Sequence, residues 1–341
     1  MSNLFLIYQL TEEMRVVDRP PEQRKGVLNK SWYEHPELGL CLFKAATSPR
    51  MPIPNVRNDW SEKVVYEISK LLDLPAARYE FALAWNEERQ NFIEGSLSIY
   101  CLPSWFESIA GGDFLTSSIR DYETDYPSSY SVENVLIALA QNEVGCPQNW
   151  AEVPGIDRAT DLFVGYLALD AVCTGVDRHP NNWEVMLGDG RLDLVPSFDH
   201  GSSLGGNLSE STRATIAASN FDPNLMKSAF WNNAGRVNPI QAFEIAANLY
   251  PDAAQIWLER LIQIDSDQIE AIFDRVPSER ITATNAKFAQ DLLDANRDRI
   301  SSYFMAKQTT ESPLLSDVRA TAIDPIEQQS DSDTDDLSLG G

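Results

Sequence analysis

The sequence predicts an α+β protein of two lobes, a small strand-rich N-lobe ending near Leu102 and a mainly helical C-lobe running to about Lys307. Three observations predict it. Short apolar runs bounded by turn residues occupy the first hundred positions, with one helix among them. From Val132 onward the apolar residues recur mostly at helical spacing. Past Lys307 the periodicity stops. With 341 residues, 43% of them hydrophobic, and eight tryptophans, the chain can bury a large core.

The opening MSNLFLIYQL reads as an edge strand. It lacks the basic start and small-residue cleavage site of a signal peptide and meets Glu12 and Glu13 at once. LGLCLFK (38–44) is the next strand, followed by the proline-rich connection SPRMPIPNVRND. In DWSEKVVYEISKLLDLP, Val64, Val65, Ile68, Leu71 and Leu72 fall at helical spacing, Asp59 is placed to cap, and Pro75 stops the helix. ARYEFALAW and LSIYCL, joined by the polar NEERQN, form a hairpin. In the C-lobe, VENVLIALAQ and ATDLFVGYLALDAVCTG are helices, the second buried all round and ended by Gly175. WEVML and LDLVPSF flank GDGR, whose Asp189-Gly190 pair is the preferred content of a type I′ turn. PIQAFEIAANLY, AQIWLERLIQI, SDQIEAIFDRV and TNAKFAQDLLDANRDRISSYF are further helices. The acidic, serine-bearing end DPIEQQSDSDTDDLSLGG contains no aromatic residue and has the composition of a disordered tail, which sets the expected divisions at 1–102, 103–307 and 308–341.

Charge narrows the partners. Against 27 basic residues stand 51 acidic ones, a net of −24, and no basic run interrupts it. Such a field repels nucleic acid phosphates and anionic lipid, so neither direct nucleic acid binding nor membrane attachment is expected. No apolar stretch approaches the length of a spanning helix. Cys41, Cys101, Cys146 and Cys173 are widely separated and show no metal-binding spacing, which reads as reduced, mostly buried thiols in a cytoplasmic protein.

The apolar run LFVGYLALDAVC (162–173) discharges into TGVDRHPNNWEV (174–185). Polar groups beside a core cost free energy unless something satisfies them. If Gly188 faces Arg191 across the hairpin, Asn182 faces Ser197 and Asp199 lies two residues on. The GVDRHPNN and FDHGSS loops then meet at one end of it. Asp177, Asn182 and Asp199 together suit phosphoryl transfer: a hard divalent cation takes one carboxylate and a carboxamide plus substrate phosphates, and the second carboxylate orients an acceptor hydroxyl. Taken singly, each of the three is as readily a cap or loop tie.

GVDRHPNNWEV followed by LVPSFDHGSSLG resembles the catalytic loop and metal-binding segment of the HipA-type Ser/Thr kinases of bacterial toxin–antitoxin modules, and the D-R-H-x-x-N core is also that of phosphoinositide kinases. LCLFK resembles the strand that carries the ATP lysine, and WSEKVVYEISKLLDLP the helix that carries its glutamate partner. IFDRVPSERIT and KFAQDLLDANRDRI resemble a C-terminal segment of the same family. The resemblance runs in order from about Gly26 to Phe304. It implies a protein kinase-like fold, ATP and Mg²⁺ as cofactors, and a protein substrate carrying Ser or Thr. It assigns Asp177 as the catalytic base or hydroxyl-orienting residue and Asn182 and Asp199 as Mg²⁺ ligands, with Lys44 on the phosphates and Glu62 fixing Lys44.

The sequence departs from the family in two places. RKGVLNKSWYE holds only Gly26 where a glycine-rich phosphate loop belongs, and Lys30 or Ser31 is expected to take over phosphate contacts. The toxin members also carry an extra N-terminal domain that meets the antitoxin, for which the 25 residues before Gly26 leave no room, so an antitoxin-bound role is not favoured. Glu62 competes with two other readings, a capping box with Asp59 and a role passed to Glu67 on another helix face. His179 and His200 read as loop braces, Arg178 as pairing with an acidic neighbour, and Trp183 and Phe198 as core. The rival functions are a nucleotide-binding pseudokinase or regulator, and an adenylyl or lipid kinase-type transferase on the same fold. A metal-dependent phosphatase or nuclease has too few ligands among three histidines.

Overall fold

The computed structural model describes residues 3–16, 30–47, 57–99, 106–120, 122–123, 127–148, 150–206, 208–216 and 220–320, with 306–320 described by their helical backbone alone. The glycine-poor stretch before Lys30, the connection over 48–56, Cys101 and residues 321–341 lie outside the described residues.

β1 (Ile7–Leu10), β2 (Arg15–Val16), β3 (Lys30–His35) and β4 (Gly39–Ala45) precede the helix α1 (Asp59–Leu71), and β5 (Tyr79–Asn86) and β6 (Asn91–Ile99) follow it. They form one six-stranded sheet in the order β1-β5-β6-β4-β3-β2. As expected, the opening strand lies at an edge, where it runs parallel to β5. In β4 alternation decides what faces what. Cys41, Phe43 and Ala45 enter a core with Leu10, Tyr33, Ala82 and Leu97, so Leu42 and Lys44 take the other face. The expected hairpin forms between β5 and β6, with β6 beginning at Asn91, six residues earlier than LSIYCL suggests. Gly95 interrupts the apolar pattern there for a steric reason. A Cβ at this position would sit 2.2 Å from the Lys44 carbonyl oxygen and 2.7 Å from the Phe43 ring. Gly95→Ala therefore destabilises the protein by about 1–3 kcal/mol, the usual penalty for overpacking a filled site. A thermal melt identical to wild type would contradict this.

α1 follows its predicted span, but its start differs from expectation. Asn58 is the N-cap residue and makes no side-chain cap, while Asp59 is buried in ion pairs with Arg57 (2.8 Å) and Arg280 (2.9 Å). Two cations claim the carboxylate that the capping pattern assigns to backbone amides. Arg280 itself is fully buried and also donates to the Ala82 carbonyl at 3.1 Å.

In the helical part come β7 (Glu107–Ala110), α2 (Gly111–Ser118), α3 (Val132–Gln141), α4 (Ala159–Cys173), β8 (Glu184–Gly188), β9 (Arg191–Leu194) and α5 (Glu210–Thr215). β10 (Trp231–Asn232), β11 (Gly235–Arg236), α6 (Pro239–Leu249), α7 (Pro251–Gln263), α8 (Ser266–Phe273) and α9 (Ala283–Ala320) complete the described chain. All residues of α4 except Asp161 are buried, which is why no amphipathic period is legible in it, and α3, α6 and α7 surround it. Each large apolar side chain so buried contributes about 1.5–3 kcal/mol. α4 ends at Cys173, with Thr174 and not Gly175 taking the cap position. Thr174 takes the left-handed conformation at φ 53°, and Asn296 donates to its hydroxyl (2.8 Å) and to the Val172 carbonyl (3.0 Å). A β-branched residue in that conformation is strained and needs such support.

The β8–β9 turn has Asp189 at φ 52° and Gly190 at φ 77°, as a type I′ turn requires, and Gly188 pairs with Arg191. β7 adds a third strand to this hairpin that the sequence pattern does not show. The chain divides into one unit over Met1–Ser301 and a second over Ser302–Gly341. Of the segment 308–341 expected to form a tail, the backbone to Ala320 continues α9. Among the described residues no helix is long and apolar enough to cross a membrane. Cys41, Cys146 and Cys173 are free thiols. Burial pushes Cys41 up to about 11 and Cys146 up to about 12.

Candidate active site

Lys30 and Lys44 lie directly opposite each other on β3 and β4, so both side chains leave the same face of the sheet. Two like charges at that spacing repel unless an anion sits between them. Asp199 supplies it: Lys44 Nζ donates to Oδ1, and Lys30 Nζ lies 3.7 Å from Oδ2. Ser31, one residue on from Lys30, pairs with Phe43 and so belongs to the opposite face. Of the two residues expected to replace the phosphate loop, the structure brings Lys30 to the cluster and leaves Ser31 out.

Glu62, fully buried on α1, faces Lys44 at 2.9 Å through Oε1. Its Oε2 accepts the His200 N–H at 2.7 Å. Neither the capping-box reading nor a substitution by Glu67 describes this helix, because Glu67 instead pairs with Lys63 and Lys70, each through a contact below 3 Å. Ser61 adds a second tie, its hydroxyl donating to the carbonyls of His200 (3.1 Å) and Ser203 (3.0 Å). α1 thus grips the segment after β9 while holding the lysine of β4.

Asp199 has φ 60°, an unusual backbone for a residue other than glycine. Its N–H donates to the Tyr79 hydroxyl at 3.0 Å, and the His200 N–H to Glu62 compensates on the next residue. Burial opposes a charge on Asp199, but Lys44 and Lys30 override it and hold the carboxyl well below the usual carboxylate range. Burial likewise opposes the Lys44 ammonium, and Asp199 and Glu62 raise its pKa well above normal. Burial pushes His200 down to about 3, with Arg178 adding to the effect, so the imidazole is neutral.

The hairpin register holds through Val195, whose N–H donates to the Glu184 carbonyl at 3.0 Å, and then breaks at Pro196. Asn182 consequently does not pair with Ser197. Ser197 instead exchanges backbone hydrogen bonds with the loop before β5, its N–H donating to Pro75 (3.0 Å) and its carbonyl accepting from Ala77 (2.8 Å). Asp177 and Asp199 still line one small cavity together with Arg178, Phe198 and His200. Phe198 is therefore at the rim and only partly buried, whereas Trp183 is core, 2% exposed.

The GVDRHPNN loop is tied internally. The Asn182 side-chain amide donates to the Asp177 carbonyl at 2.7 Å, and its backbone N–H donates to the His179 carbonyl at 2.8 Å. A carbonyl only accepts, so the amide nitrogen must face it and Oδ1 is the end left for other partners. His179 braces the loop through Nδ1, which accepts the Asn181 N–H at 3.1 Å. The Asp177 side chain is about half exposed, 47%, and lies 3.8 Å from His179 Nε2. Burial raises its pKa; His179 pulls it back and the Asp199 charge raises it further.

Three supports of this loop and of the Asp199 segment, Asp170, Tyr130 and Tyr79, escape a reading of the sequence. Arg178 does find an acidic neighbour, Asp170 of α4, through two hydrogen bonds, and it also donates to the Ser197 hydroxyl at 3.0 Å. The lone acid inside LFVGYLALDAVC is the signal that would have pointed to Asp170. Tyr130 donates its hydroxyl to the Arg178 carbonyl (2.7 Å) and accepts from Trp183 Nε1 (3.0 Å). Tyr79 holds the Asp199 amide. No local pattern marks either tyrosine.

Among the described residues no group of three His, Cys, Asp or Glu could hold a metal ion unaided. Asp199 offers an ionised carboxylate and Asn182 a carboxamide oxygen, donor types that Mg²⁺ takes alongside water and substrate phosphates.

No protein-family model matches the chain, and no curated protein matches it in sequence. Among solved structures it is similar to the Helicobacter pylori proinflammatory kinase CtkA, with a TM-score of 0.61 and 16% identity, covering 82% of this chain and 93% of that one. It is more distantly similar to HipA of the Shewanella oneidensis toxin–antitoxin system, solved with HipB and operator DNA (TM-score 0.49, 11% identity, 82% of this chain and 64% of that one). A Golgi casein kinase solved with Mn and ADP follows at a TM-score of 0.44 and 12% identity, over 88% of this chain and 72% of that one. The likeness to CtkA, over 82% of this chain, shows that it has a bilobal protein kinase-like fold.

Proposed function

We propose that the chain is a kinase, transferring a phosphoryl group from Mg²⁺-bound ATP to a Ser or Thr hydroxyl on a protein. One observation carries the proposal: Lys44, Glu62 and Asp199, drawn from a strand, a helix and a loop, converge in one ion-paired cluster beside Asp177. A merely structural ion pair needs neither the second lysine at 3.7 Å nor a half-exposed carboxylate on the same cavity.

In this reading Lys44 holds the nucleotide phosphates and Glu62 holds Lys44. Lys30 adds a second positive charge where backbone amides of a glycine-rich loop would otherwise serve. Asp199 and Asn182 are the residues that would hold Mg²⁺, and the ion supplies charge neutralisation on the phosphates. Asp177 orients the acceptor hydroxyl and accepts its proton. Its raised pKa makes it a better proton acceptor than a free carboxylate. The neutral His200, buried behind Asp199, adds no charge to repel a cation.

The test is a calorimetric titration with a nonhydrolysable ATP analogue, with and without Mg²⁺, beside an assay for transfer of labelled phosphate. Wild type binds more tightly with Mg²⁺ and transfers. Asp199→Asn removes the carboxylate, so the Mg²⁺-dependent gain, roughly tenfold or more, disappears together with transfer. An unchanged Mg²⁺ dependence in Asp199→Asn would sink the assignment. Nucleotide binding by wild type with no transfer across a broad panel of acceptors would favour a nucleotide-binding regulator. An adenylylated product, read by mass, would indicate adenylyl transfer.

A further inference from the structure

The hairpin packed on the loop that carries Asp177 presents two exposed basic side chains. The β10–β11 hairpin is bolted to the catalytic loop through Tyr130, whose ring stacks on Phe230 (4.7 Å between centroids, 15° between planes) and whose carbonyl accepts the Trp231 N–H at 2.9 Å. The same tyrosine holds the Arg178 carbonyl, one residue from Asp177. On β11, exposed Arg236 is pinned by its own backbone surroundings, Nε donating to the Ser228 carbonyl (2.8 Å) and Nη2 to the Lys227 carbonyl (3.0 Å). Arg236 pairs across the hairpin with Trp231, the residue bonded to Tyr130. Lys227 beside Arg236 is also exposed.

Lys30, Lys44 and Arg178 each face a carboxylate. Arg236 and Lys227 pair with none among the described residues, although the chain carries a net charge of −24. A guanidinium fixed by two carbonyls keeps further N–H groups for a carboxylate and loses little freedom on binding one. Single-sign charge at the rim of a site selects partners more than it stabilises a fold.

We propose that Arg236 and Lys227 form an acceptor-recognition surface, which selects a Ser or Thr flanked by Asp or Glu residues and aims its hydroxyl at Asp177. The proposal deepens the phosphoryl-transfer reading above and rests on it for the role of Asp177.

The experiment compares two fluorescein-labelled peptides, each with one serine, one flanked by Asp and Glu and its twin by Lys. Binding is read by anisotropy and phosphorylation by transfer of labelled phosphate. Wild type binds the acidic peptide at least about tenfold more tightly, despite the net repulsion of the chain. Arg236→Glu and Lys227→Glu each abolish or reverse the preference, Arg236→Lys keeps part of it, and nucleotide affinity is unchanged in all three. Arg89→Glu, on the exposed β5–β6 turn, controls for the same change in net charge and leaves the preference intact. Lys227→Glu serves even where Arg236→Glu loosens the hairpin, since the Lys227 contact with Arg236 is through its carbonyl. Equal binding of the two peptides to wild type, or a preference that survives both charge reversals, would overturn the proposal. A preference that follows Arg236 and Lys227 with no transfer to either peptide would keep the surface and refute the kinase reading instead.

Discussion

Asp177→Asn leaves the affinity for Mg²⁺ and nucleotide nearly unchanged and lowers phosphoryl transfer by about a hundredfold or more, the scale of losing a positioned base or a transition-state contact. The geometry separates the two effects. Lys44, Glu62 and Asp199 form a closed set of contacts that does not include the Asp177 carboxylate. The tie Asp177 does make, through its backbone carbonyl to Asn182, is kept by an Asn at 177. The substitution removes only a negative charge and a proton acceptor from a half-exposed position. Transfer assayed at saturating nucleotide isolates the loss. Normal transfer in Asp177→Asn, or a parallel loss of nucleotide binding, would contradict the assignment of this residue to the acceptor side.

The second large effect is on folding. Asp59→Asn destabilises the protein by about 3–5 kcal/mol, because it leaves the fully buried Arg280 guanidinium without a counter-charge. Arg57 retains Glu94 and partial exposure, so it tolerates the loss. Among the described residues Arg280 keeps the Ala82 carbonyl and the face of the Phe81 ring, neither of which carries a formal charge, and its Nε already has no hydrogen-bond partner. Against a typical stability of about 5–15 kcal/mol the effect is severe. Asp59→Asn/Arg280→Met removes the stranded charge as well and is less destabilised than Asp59→Asn alone, a comparison that urea titration makes directly. A loss under about 1 kcal/mol in the single variant would show that the pair is not what anchors this end of α1. Function is tied to the same contact, since Glu62 sits one helical turn beyond Asp59.

These two variants also mark where the sequence is readable. Asp177, Asn182 and Asp199 fall in two short polar stretches next to strongly apolar ones, and Asp189-Gly190 joins the two stretches, though the register it sets holds only to Val195. Lys44 and Glu62 are legible only through the resemblance of LCLFK and WSEKVVYEISKLLDLP to the lysine strand and glutamate helix of HipA-type kinases. Other features depend on relations that no window contains. Ser31 misses the site because strand parity sends adjacent side chains to opposite faces, and its register with Phe43 is set by tertiary pairing. Asp59 has the pattern of a cap, yet a partner 221 residues away takes its carboxylate. β2, β10 and β11 are two residues long, too short for any period, and Tyr130 acts through one hydroxyl and one ring face.

The handover of Ser197 from the β8–β9 hairpin to the loop before β5 makes Asp199 a mechanical extension of the strand-rich half. Through Pro75, Ala77, Tyr79 and Glu62 it travels with Lys44, while Asp177 stays with α4 through Arg178 and Asp170. Any hinge rotation between the two halves therefore changes the gap between the two aspartates as a lever changes the gap of a jaw. The Arg178–Ser197 hydrogen bond, at 3.0 Å, and the Leu204–Cys173 backbone bond, at 2.7 Å, are tethers that such a rotation loads.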